Sequence, residues 1–109
     1  MLTIKQIIRI YTLGAELKFK KNSDTKQLKG ECDCGALEAI IYTRKKSSAE
    51  LETTILHELI HLRNETRRYR KNSKIRAKIS EKYVEKEARE TYKKNPYIIQ
   101  FIKELYEIK

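Results

Sequence analysis

Apolar residues recur near the start of the chain at Ile4, Ile7, Ile8, Tyr11 and Ala15, the spacing of one helix face running from Thr3 to about Leu17. Gly14 is placed to end that helix early. Residues 20–35 are polar, charged and glycine-containing, and read as loops around short strands. From Ala36 to Thr43 the pattern alternates, with Leu37, Ala39 and Ile41 on one face and Ile40 and Tyr42 on the other. That predicts a strand covered on both faces at least in part. Ser47 followed by Glu50 matches a capping box, so a helix is expected to begin near Ser48. Leu51, Ile55, Leu59 and Leu62 form its apolar stripe, with Ile60 flanking. A strongly charged helix is predicted from about Ile75 to Lys93, with Ala77, Val84, Ala88 and Tyr92 in line. Asn95-Pro96 breaks it. Tyr97 to Ile108 forms a last amphipathic segment carrying Ile98, Phe101, Ile102, Leu105 and Tyr106.

These elements predict an α+β fold: an N-terminal helix, a small mixed sheet, a capped helix and a charged helix. A chain of 109 residues makes one small domain, here 1–109, with 95–109 as its C-terminal amphipathic segment. Apolar residues at 39% against 37% charged are lean for so small a core, yet too apolar for a disordered chain. No run of about 18 apolar residues is present, so no membrane span is expected. Lys5 and Arg9 interrupt the first apolar stretch, which is not read as a secretory signal; the cytoplasm is the expected compartment.

The net charge of +10 is uneven. Residues 1–62 hold 10 basic and 8 acidic side chains, and residues 63–109 hold 15 and 7, so the two parts carry +2 and +8. The excess centres on Arg67, Arg68, Arg70, Lys71, Lys74, Arg76 and Lys78. No aromatic or glycine-rich pattern interleaves these charges, so they read as a solvated face before a nucleic-acid surface. Cys32 and Cys34 are too few for a disulfide framework and too close in sequence for an unstrained bridge, so both read as thiols.

The chemistry concentrates in His57-Glu58-Leu59-Ile60-His61, which contains both histidines of the chain. On a helix, positions i and i+4 share a face, so both imidazoles can reach one ion. Glu58, next to the first of them, can reach a metal-bound water. The motif thus supplies two zinc ligands and a general base for attack of that water on a peptide carbonyl. A third protein ligand must come from Glu, Asp or Cys, since no third histidine exists. Glu85 sits on the stripe of Ala77, Val84, Ala88 and Tyr92, where an unpaired acid would be costly, and is the first choice. Glu81, one turn earlier, is the second; Glu87 and Glu90 read as solvated charges pointing away. Tyr83, Tyr92, Tyr97 and Arg89 could each donate to a developing oxyanion, and none is singled out.

His57-Glu-Leu-Ile-His61, followed 24 residues later by Glu85-Lys-Glu-Ala-Arg89, resembles the gluzincin metallopeptidases. In size and order of elements the chain looks most like the small soluble minigluzincins. These are similar to the catalytic cores of Ste24-type membrane metallopeptidases and, more loosely, to ImmA/IrrE-type proteins. The resemblance implies a zincin-like fold and a zinc-dependent endopeptidase acting on peptide or protein substrates. It implies His57, His61 and Glu85 as ligands, with Glu58 as base. It also implies that the strand holding Ala39, Ile40, Ile41 and Tyr42 is an edge strand pairing an extended substrate. Arg89 departs from the family pattern, which has Asp or Asn there to orient a zinc-bound histidine. The segment 95–109 is read either as cover for the core or as a cleft-covering tail that makes the protein latent. The competing reading is a non-catalytic structural-zinc protein: Cys32, Cys34, His57 and His61 would close a Cys₂His₂ site, and the basic cluster would contact nucleic-acid phosphates.

Overall fold

Thr3 opens the first helix with a reciprocal cap. Its hydroxyl accepts from the Gln6 N–H at 3.2 Å, and the Gln6 side chain accepts from the Thr3 N–H at 3.1 Å. The helix, α1 (Ile4–Thr12), ends at Gly14, which adopts a left-handed φ of 98°. Gly14 N–H donates to Tyr11 O at 3.0 Å and Ala15 N–H to Ile10 O at 2.9 Å, the paired bonds of a Schellman stop. The helix therefore stops short of Leu17. Its buried face is Ile7 and Ile10, while Ile8 and Tyr11, expected on that face, are exposed.

The computed structural model describes residues 1–21, 29–33, 35–44, 46–70 and 81–108, with 67–70 described by their backbone alone. Its fold is α+β. After α1 come β1 (Glu16–Lys20), β2 (Gly30–Asp33), β3 (Glu38–Tyr42), α2 (Ser48–Arg70), α3 (Glu81–Lys94) and α4 (Tyr97–Leu105). Glu16 and Leu17 thus open a strand where the sequence spacing extended the helix. The expected start of the charged helix at Ile75 lies outside the described residues, as do the side chains of the basic cluster from Arg67 to Lys78. Among the described residues, no helix is long and apolar enough to cross a membrane.

The sheet has the order β1-β3-β2, with β1 parallel and β2 antiparallel to β3. β2 and β3 form a hairpin whose turn is held by Asp33, the carboxylate accepting from Ala36 N–H at 3.2 Å. Leu37, expected within the strand, occupies that turn with φ of 52°. Ala39 and Ile41 turn into the core. The edge-strand role expected for Ala39, Ile40, Ile41 and Tyr42 is corrected by this order. Each of those residues is paired with β1 on one side and with β2 or the carbonyl of Lys29 on the other, so β3 has no free edge for a substrate.

One core joins the layers. Ile55, Leu56, Leu59, Ile60 and Leu62 of α2 meet Ala39 and Ile41 of the sheet and Val84 and Ala88 of α3. α4 contributes Ile98, Ile99 and Ile102 to the same core and packs against α1 and α3. Lys103 is ion-paired to Glu52 of α2 at 2.7 Å, and Tyr92 of α3 donates to the same carboxylate at 3.0 Å. The apolar face of α4 is thus taken up by the core, as expected of a segment that covers it.

Glu87, expected to be solvated, instead pairs with Arg63 of α2. The Arg63 side chain is 8% exposed, and its Nη2 donates to Glu87 Oε1 at 2.7 Å while Nη1 donates to Oε2. Asn64 and Gln6 accept from the same guanidinium. The pair pins α2 to α3, and Arg63 holds the Glu87 carboxyl below its ordinary range.

Candidate metal centre

The N-terminus of α2 forms as the capping signal predicts: Ser47 Oγ accepts from Glu50 N–H at 3.2 Å. From there the apolar stripe turns Leu56, Leu59 and Ile60 inward, and the intervening positions place His57 and His61 on the rim facing α3. The His57 and His61 Nε2 atoms are 3.2 Å apart. Glu81, the first residue of α3, reaches both: its Oε2 is 2.8 Å from His57 Nε2 and its Oε1 is 2.9 Å from His61 Nε2. His57, His61 and Glu81 are the group of potential metal donors that converges among the described residues.

Glu85, the first choice for third ligand, lies elsewhere. Its Oε2 accepts from His57 Nδ1 at 2.9 Å, on the far side of the ring from the Nε2 pair. Its Oε1 accepts from Arg89 Nε at 3.0 Å. Burial acts to raise the Glu85 carboxyl, but Arg89 and His57 together outweigh it and hold the group below its ordinary value. Glu85 thus takes the outer position, gripping the His57 ring, that the sequence motif leaves to residue 89. One turn of α3 separates the two glutamates, which is why both share the stripe and only one faces the Nε2 atoms.

Glu58 is buried, at 5% exposure, with Oε2 4.0 Å from His57 Nε2. Burial pushes its carboxyl up to about 7, with His57 pulling down and the Glu81 and Glu31 carboxylates adding to the rise. Burial also lowers His61, with His57 beside it adding to the effect and Glu81 opposing it. A lowered pKa keeps an imidazole nitrogen open as an acceptor or ligand.

A cleft of about 410 Å³ runs beside these groups, lined by His57, Glu58, Glu81, Glu85 and Arg89 together with Lys29 and, at the start of β2, Gly30. Gly30 is a residue whose role the sequence did not disclose. A Cβ there would meet Thr54 Cγ2 at 2.9 Å, the Ile40 carbonyl at 3.0 Å and Glu58 Cγ at 3.1 Å. Only glycine lets β2 lie this close to α2 beside the acid. Of the described strands, β2 is the edge nearest the cleft. Among the four residues considered as oxyanion donors, Arg89 lines the cleft; Tyr83 and Tyr97 are exposed and Tyr92 is tied to Glu52. Cys32 packs against the core cluster and is not among the converging donors, and Cys34 lies outside the described residues. Comparison of the chain with protein-family models, curated proteins and solved structures finds no significant match, so the likeness to gluzincins remains one of two short motifs.

Proposed function

We propose that this chain is a zinc-dependent peptidase in which His57, His61 and Glu81 hold the ion and Glu58 is the general base. The observation that carries the reading is the convergence of two imidazole Nε2 atoms and one carboxylate beside a cleft lined by His57, Glu81 and the buried Glu58. The donor set fits. Two nitrogens bound to a tetrahedral zinc at ~2.0–2.1 Å stand roughly 3.3 Å apart, and the Nε2 atoms here are 3.2 Å apart. Nitrogen lone pairs this close repel each other unless a proton or a cation lies between them. Zinc held there would supply Lewis-acid polarisation of a peptide carbonyl and a water acidic enough to attack it.

The chain's own residues account for the rest. Glu58, held near neutrality by burial, can take a proton and return it. Glu85 accepts from His57 Nδ1–H and so fixes the tautomer that leaves Nε2 open. An extended peptide added along β2 on the side away from β3 would lie by Lys29 and Gly30, beside Glu58.

The test compares the zinc-loaded protein with its Glu58→Gln variant, by X-ray absorption and by cleavage of an unfolded protein substrate. The expected result is a nitrogen and oxygen shell at ~2.0–2.2 Å in both proteins, with cleavage by the unsubstituted protein alone. Sulfur in the shell, or cleavage undiminished by the substitution, would overturn the reading.

A further inference from the structure

We infer that Arg89 is a specificity-determining residue that binds a carboxylate of the substrate, so that the cleft selects peptides bearing a negative charge within a few residues of the reacting bond. The inference deepens the peptidase reading by naming a substrate class, and it rests on that reading.

Three observations carry it. Arg89 lines the cleft, yet its side chain is 75% exposed, so its guanidinium is not part of the packed structure. Glu85 engages its Nε alone, and the two Nη groups have no partner among the described residues. A guanidinium presents its N–H donors as a planar fork matched to a carboxylate, and anchoring at Nε leaves the Nη donors for a second one. The fork has one anchor. Arg89 donates to Glu85 Oε1 at 3.0 Å, and Glu85 Oε2 accepts from His57 Nδ1 at 2.9 Å, so the guanidinium stands two hydrogen bonds from the His57 ring. With the width of the guanidinium and of the Glu85 carboxylate included, that path spans at most about 10 Å, roughly three residues of an extended peptide at ~3.3–3.6 Å each, so the anchored carboxylate lies within about three residues of a carbonyl beside His57. The other acids of the cleft offer no competitor for the Nη groups: Glu58 is buried, Glu81 lies against both histidines, and Glu50 is bound to Ser47.

The carboxylate has two possible sources, an acidic side chain or the free C-terminus of a short peptide. Both are distinguished by binding to the zinc-loaded Glu58→Gln protein, where the peptide is expected to survive intact. The probes are an N-acetylated alanine tetrapeptide as free acid, the same peptide as C-terminal amide, and amides carrying Glu or Gln at one internal position. Calorimetry is expected to give a Kd for one carboxylate-bearing peptide roughly tenfold or more below that of its neutral partner. The further substitution Arg89→Gln is expected to shrink that ratio below about threefold; circular dichroism checks that the fold is kept. Preference for the free acid assigns the C-terminal carboxylate, and preference for Glu over Gln assigns a side chain. Equal binding of acid and neutral peptides, no binding of either, or an unchanged ratio without Arg89 overturns the inference. A collapsed ratio in a protein whose unsubstituted form cleaves nothing leaves the carboxylate site standing and removes the peptidase reading instead.

Discussion

Glu85 and His57 are joined by a hydrogen bond of 2.9 Å at Nδ1, on the side of the ring away from His61. That one contact separates the roles of the two glutamates of α3, since Glu81 holds the Nε2 side. The consequence is a ranking of zinc affinities. Glu81→Gln and His61→Ala each remove a donor atom and are expected to abolish stoichiometric zinc binding. Glu85→Gln keeps the three donors and loosens the ring, so zinc stays stoichiometric with affinity lower by about 10–100-fold. Competition against a chromogenic chelator reads all three. The reverse order, with Glu85→Gln losing the ion and Glu81→Gln keeping it, would exchange the two assignments.

The Arg63–Glu87 pair predicts an acid-sensitive stability. The pair lowers the folded-state pKa of Glu87 below its unfolded value of about 4.3. The stabilisation is therefore fully present above that unfolded value and is lost as pH falls through the lower folded one. Glu87→Gln removes one partner of a mostly buried pair and should cost about 2 kcal/mol or more at pH 7, less than the ~3–5 of fully buried pairs because Glu87 is partly exposed. Urea titrations of both proteins between neutral and strongly acid pH should show the difference shrinking as pH falls. A difference independent of pH would mean that packing, not charge, is what the substitution removes.

What the sequence discloses about this fold follows how local each signal is. The cap at Ser47, the stripe of Leu59 and Leu62, and the His57–His61 spacing are written within one or two turns, and each is found where it was read. Glu16 and Leu17 continue the periodicity of α1, so only the left-handed Gly14 marks where helix becomes strand. The central position of β3 depends on which strands pair, and no feature of Ala39–Tyr42 encodes that. Glu87 looks solvated because Arg63, the charge that buries it, lies on another helix. Glu81 and Glu85 share a face, and the crossing of α3 over α2 decides which one meets the Nε2 atoms.

Gly30→Ala tests how closely the sheet must approach Glu58. The added Cβ meets two side chains and a backbone carbonyl at 2.9–3.1 Å, and the carbonyl cannot rotate away. The cost expected for such overpacking is about 1–3 kcal/mol, with β2 displaced from Glu58 and cleavage reduced more than zinc binding. Thr54→Ser removes the nearest atom, Cγ2, and should restore part of the lost stability. Thermal denaturation of the single and double variants reads this directly. A double variant no more stable than Gly30→Ala would place the clash at the Ile40 carbonyl.

Removing α4 distinguishes core cover from cleft cover. Ile98, Ile99 and Ile102 are buried at 1%, 7% and 1% exposure against α1 and α3, and no α4 residue lines the cleft. Each buried isoleucine contributes about 1.5–3 kcal/mol, so the loss of all three approaches the ~5–15 kcal/mol by which a whole domain is stable. A chain ending at Asn95 also leaves Glu52 without Lys103. The expected outcome is a protein without a cooperative melt and with no zinc-dependent cleavage. A shortened chain that kept its helical circular dichroism, melted cooperatively and cleaved peptides faster than the full chain would show instead that the segment restrains the cleft. The point substitution Ile102→Ala separates the two explanations in a folded protein. Core cover predicts a loss of about 2–5 kcal/mol with the cleavage rate at low temperature little changed, whereas cleft cover predicts a higher rate.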